Sequence, residues 1–84
     1  MNAIDWSLKA VKQLRKLNMH DQRSIRDAVD QLAAMPSCQN VKVLIDHEYR
    51  YRLRVGNYRV LFDWSSDVKI VEIQEVKRRN EGTY

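Results

Sequence analysis

The residues best suited to chemistry lie in one run, YRYRLRVGNYRVLF, from Tyr49 to Phe62. Arg50, Arg52, Arg54 and Arg59 share one alternating track through it, and no acid interrupts them. Guanidinium groups bind phosphate through paired hydrogen bonds and stabilise charge that develops on its oxygens. Several of them on one rigid surface predict an anionic partner. A second basic group, Lys77, Arg78 and Arg79, follows near the end of the sequence. A plain solvated strand face, its arginines paired with Glu75 and Asp63, is the structural alternative.

Composition narrows the classes. Eighty-four residues make a single domain, 1–84, with a formal charge of +4. A chain of this size buries only about 60% of the surface its unfolded form exposes, so its core is small. A basic balance favours nucleic acid or an acidic protein as partner. Cys38 is the only cysteine, which excludes an internal disulfide and a thiolate metal cluster. The opening MNAIDWSLKA lacks an apolar signal core, and no apolar run reaches about 18 residues. These features predict a cytoplasmic protein with no membrane contact, no metal and no cofactor.

The elements that must position the arginines follow from periodicity. Residues 2–6 read as a short first strand. Leu8, Val11, Leu14 and Leu17 recur at helical spacing, with Ser7 or Asp5 as cap. Ile25, Ala28, Val29, Leu32 and Ala33 make the stripe of a second helix, with Asp21 as its cap and Pro36 beyond its end. The period then changes to two. Residues 40–45 read as an extended connector, Tyr49 to Val55 as a strand, and Gly56–Asn57 as a tight link with positive φ available to both. Tyr58 to Trp64 continues the hairpin, and Val68 to Val76 makes a further strand. A two-residue link pairs Val55 with Tyr58 and Arg54 with Arg59, so the arginines share one face. Tyr49, Tyr51, Tyr58, Phe62 and Trp64 then belong to the helix-side core, with Trp6. The last strand has mixed parity, which predicts partial cover on both sides. Helices first and a meander after predict an α+β fold: two antiparallel N-terminal helices on one face of a small antiparallel sheet.

The segments AVKQLRKL (10–17), YRLRVGNYRVLF (51–62) and VEIQEVKRRNEGTY (71–84) together resemble the RelE/ParE superfamily of bacterial type II toxin–antitoxin toxins, in particular its RelE-like branch. The resemblance covers nearly the whole chain. It implies a RelE-like fold and a ribosome-dependent mRNA endonuclease acting on mRNA in the A site of the 70S ribosome. Such an enzyme uses metal-free attack of the ribose 2′-OH on the adjacent phosphodiester and is neutralised by a cognate antitoxin. By motif position it implies catalytic roles for Arg50, Arg52, Arg59, Arg79 (Arg78 if the tail is one residue out of register) and Tyr84. Arg54, Lys77 and Arg78 are then RNA-binding. RelE-like enzymes commonly carry lysines where this chain has Arg50 and Arg52. Because an arginine is a poor general base, proton transfer falls to other groups. His47 and Glu75 lead, and Glu48, Glu81, His20 and Tyr84 are further candidates. As alternatives, the superfamily resemblance also admits a ParE-like inhibitor that acts by binding DNA gyrase, or a nuclease that needs no ribosome.

Overall fold

The computed structural model describes residues 1–79. Its elements run β1 (Ala3–Trp6), α1 (Leu8–Arg15), α2 (Met19–Asp30), a 3-10 turn (Gln31–Ala34), β2 (Val41–Val43), β3 (Tyr51–Val55), β4 (Tyr58–Ser65) and β5 (Ile70–Arg78). The five strands form one sheet in the order β1-β5-β4-β3-β2. β2 to β5 are an antiparallel meander, and β1 joins β5 in parallel at one edge. The expected α+β architecture is present, and residues 40–45 contribute an edge strand, β2.

Both helix starts are capped. Ser7 accepts the amide of Ala10 at 3.0 Å. Asn18, rather than the expected Asp21, caps α2: its Oδ1 accepts the Asp21 amide at 2.8 Å, while its Nδ2 donates back to Asp21 Oδ2 at 3.1 Å. Such a cap satisfies amides that have no partner within the helix. α1 buries Ala10 and Leu14, whereas Leu8 is 69% exposed because α1 lies along the sheet edge rather than flat on it. β1 covers β5 only from Ile70 to Ile73. Beyond that point α1 takes over the edge, and Gln13 Oε1 accepts the Val76 amide at 2.7 Å.

The helix-side core joins Ala10, Leu14, Ile25, Val29 and Leu32 to Leu53, Val60, Phe62, Val71, Ile73 and Val76. Its β5 members change parity between Ile73 and Val76. The register shows why: Leu61 faces Glu75 but Phe62 faces Ile73, so Gln74 is an extra residue in β5. A β-bulge of this kind reverses the facing of everything after it. The mixed parity of β5 therefore marks a bulge, not a strand covered on both sides. In the β3–β4 link only Gly56 takes positive φ, at +55°, and Asn57 does not.

Candidate functional site

Because cross-strand partners share a side of the sheet, the register assembles the basic residues directly. On the face away from the helices, Arg54 on β3, Arg59 on β4 and Lys77 on β5 form one row. The next row is Arg52, Leu61 and Glu75. The predicted pairing of Arg54 with Arg59 is present.

Arg59 is the centre of this surface. It is only 7% exposed, and its Nη1 donates to the Tyr58 carbonyl at 3.1 Å. Among the described residues no carboxylate lies within ion-pair distance of it. Arg52 Nε is likewise buried with no hydrogen-bond partner among those residues. A buried cation without a counter-ion is costly, and an anion from outside would relieve that cost. The nearby acids are committed elsewhere. Asp63 Oδ1 accepts the Arg50 amide at 2.9 Å, and Gln74 reaches its Oδ2 at 3.4 Å.

Glu75 is a hub rather than a free base. Its Oε1 lies 3.2 Å from Lys9 Nζ and 3.7 Å from Lys77 Nζ, and the residue is 6% exposed. The Tyr49 hydroxyl also reaches Glu75, together with Glu48. Burial first, then those two carboxylates, push the Tyr49 phenol up to about 12. Tyr49 is thus on the arginine side and not in the helix-side core. β3 begins at Tyr51, and the backbone turns at Asp46, whose φ is +56°, so strand alternation does not extend back to Tyr49. His47 packs on Tyr49 with ring centroids 6.1 Å apart, and its Nδ1 accepts the Tyr49 amide at 3.1 Å. The two leading proton-transfer candidates, His47 and Glu75, therefore both adjoin Tyr49.

The remaining candidates are dispersed. Arg50 is exposed and precedes β3 instead of lying within it. Arg78 pairs with Tyr58 after the bulge and turns to the helix side, its guanidinium carbon 5.9 Å from the Tyr58 ring centre. Tyr58 donates to Asp21 Oδ2 at 2.7 Å, and this bond is the main cause of its raised pKa. Arg79 is exposed, its amide donating to the Asn57 carbonyl at 2.6 Å. Tyr84 and Glu81 lie outside the described residues. Tyr49 and Lys9 were absent from the sequence-derived site. Lys9 carried no signal beyond its place on a basic helix, and the alternation of Tyr49 pointed to the wrong face.

Among the described residues there is no group of three or more His, Cys, Asp or Glu that could hold a metal ion. Among those residues no helix is long and apolar enough to cross a membrane.

Comparisons with known proteins agree with this architecture. The RelE–RelB complex from Pyrococcus horikoshii contains a chain 24% identical, with a TM-score of 0.81, covering 96% of this chain and 98% of that one. The RelBE2 toxin–antitoxin complex from Mycobacterium tuberculosis gives 22% identity and a TM-score of 0.80, covering 93% and 98%. The isolated E. coli RelE toxin gives 15% and 0.79, covering 98% and 88%. At these identities the likeness establishes the fold. A search of curated proteins gave no match. A family profile described as the ParE toxin of the type II toxin–antitoxin system parDE matches residues 4–82. With nearly its full length matched, and with the sheet and helices of the RelE structures, the chain belongs to the ParE toxin family, within the RelE/ParE superfamily of type II toxin–antitoxin toxins.

Proposed function

We propose that the open cationic face is the surface through which this toxin engages its target, and that the target is mRNA in the A site of the 70S ribosome. The observation that carries this reading is the buried Arg59 guanidinium between Arg54 and Lys77, which has no carboxylate within ion-pair distance among the described residues. A phosphodiester fits that row, and guanidinium groups held by a sheet stabilise a pentacoordinate phosphorus with little reorganisation. Cleavage by the neighbouring 2′-OH would leave a cyclic phosphate and a 5′-OH. Arg52, Arg54, Arg59 and Lys77 are the core of the proposed site, with Arg50 and Arg79 at its rim. A cognate antitoxin holds the toxin inactive in this reading, as RelB accompanies RelE in the P. horikoshii and M. tuberculosis complexes.

A second reading has its own support. The family profile is that of ParE toxins, Glu75 is occupied by two lysines, and arginines move protons poorly. A binding inhibitor of DNA gyrase needs no proton transfer. One experiment separates the two. Purified protein is added to programmed ribosomes, to the same mRNA alone, and to gyrase with relaxed plasmid. Cuts within A-site codons that require the ribosome establish the nuclease, and cuts in both RNA samples indicate a ribosome-independent enzyme. Loss of supercoiling without RNA cleavage establishes the gyrase inhibitor and overturns the nuclease.

A further inference from the structure

Glu75 is the only acid in the two rows of the open face, one made by Arg54, Arg59 and Lys77 and the other by Arg52, Leu61 and Glu75 itself. Stability does not account for it. The residue is 6% exposed, and a carboxylate taken out of water needs close, well-ordered partners in return. Its partners are Lys9 at 3.2 Å and Lys77 at 3.7 Å, whose side chains remain 59% and 33% exposed. Pairs with ammonium groups that stay in solvent contribute little to folding. A glutamine would fill the same volume and still accept the Tyr49 hydroxyl, without burying a charge. A glutamine could not hold two ammonium groups. A lysine engaged by a carboxylate offers less to an incoming phosphate, because the internal pair must first be given up.

We propose, resting on the nuclease reading above, that Glu75 is a specificity-determining residue. It keeps Lys9 and Lys77 engaged, so that RNA free in solution binds weakly and stable engagement requires a strand held in place by the ribosome. Arg52 and Arg59, which have no carboxylate within ion-pair distance among the described residues, stay available to a single phosphate. An arbitrary strand gains affinity differently, by laying several phosphates on several cations and releasing their counterions. Glu75 withholds Lys9 and Lys77 from that gain. The penalty falls on every nucleic acid alike, but a strand positioned by the ribosome offsets it with contacts that free RNA lacks.

The test has two readouts. The first is binding of a short 2′-O-methylated single-stranded RNA, which the 2′ attack cannot cleave, measured by fluorescence anisotropy over a salt series without ribosomes. Glu75→Gln should bind about tenfold tighter than wild type at low salt. Its logarithmic salt dependence should steepen by about 0.7 for each lysine released. Glu72→Gln makes the same change of net charge at an exposed position of β5 outside both rows, and should shift binding far less. Lys9→Met should remove part of the gain in the Glu75→Gln protein and change wild-type binding much less. Equal gains in Glu75→Gln and Glu72→Gln, or a gain that Lys9→Met leaves intact, would overturn the assignment. The second readout is single-turnover cleavage on programmed ribosomes, with and without a large excess of the methylated RNA as competitor. The competitor should leave wild type unaffected and slow Glu75→Gln, and equal inhibition of both would overturn the specificity role. If the wild-type protein cuts no mRNA on ribosomes, the nuclease reading itself fails, and the wild-type sample without competitor alone reveals it.

Discussion

Arg59 and Lys77 stand opposite one another on β4 and β5, and Arg54 flanks Arg59 from β3, so three cations from three strands share one row. Like charges directly across a sheet destabilise it. Among the described residues only Lys77 of the three has a carboxylate at hand, and Glu75 shares itself with Lys9. The row is a place where stability is lower than it need be.

Replacing the central cation should therefore separate stability from function. Arg59→Leu removes a buried charge that has no counter-ion among the described residues and keeps an apolar volume beside Leu61, itself fully buried. Swaps of this kind are often neutral or stabilising by about 1–4 kcal/mol. Toxicity on induction should be lost while the melting temperature holds or rises. Unfolding of the variant, or full toxicity, would count against the anion site.

The same row should respond to anions. Inorganic phosphate at about ten times its dissociation constant should add about 1.4 kcal/mol to wild-type stability by mass action. The gain should shrink sharply in Arg59→Leu. Denaturant titrations with phosphate against chloride at matched ionic strength provide the measurement, and equal gains in both proteins would place binding elsewhere.

Tyr49 gives a pH signature. A phenol raised to about 12 by burial and by Glu48 and Glu75 stays neutral where ordinary tyrosines ionise. Its folded value lies above its unfolded one, near 10. The associated stability is therefore complete below about pH 10 and disappears as the pH rises toward 12. Absorbance at the phenolate band, wild type minus Tyr49→Phe, should show a late midpoint near 12. A midpoint near 10 would remove Tyr49 from the neighbourhood of Glu75.

Gln13 is predicted to matter more than its place on α1 suggests. Its Oε1 is the partner of the Val76 amide at the point where β1 no longer covers β5. Gln13→Ala should cost about 1–3 kcal/mol, the usual penalty for an orphaned buried donor. Gln13→Glu keeps the acceptor and should melt close to wild type. Thermal unfolding of both variants checks the pair.

Local pattern was enough for the helices, the Gly56–Asn57 hairpin and the shared face of Arg54 and Arg59. Helical spacing and strand alternation are properties of neighbouring residues, so they can be read without knowing what lies across the molecule. The placements that failed depend on distant partners. The turn before Tyr51 carries Tyr49 to the arginine face, and it is fixed by what Asp63 and Glu75 offer from other strands. The parallel pairing of β1 with β5 joins residues about seventy positions apart, and no local period announces it.

The bulge at Gln74 marks the division most clearly. The residues of β5 determined that a strand would form and that its parity was mixed. Only packing against Phe62 and Leu61 decided that one extra residue would be accommodated there, sending Val76 into the core and Glu75 and Lys77 to the cationic face. Sequence by itself thus determined which cations are available and, by alternation, which of them are grouped on β3 and β4. Tertiary structure decided which of the β5 cations joins them, because one residue of register in a strand exchanges every side chain between its two faces.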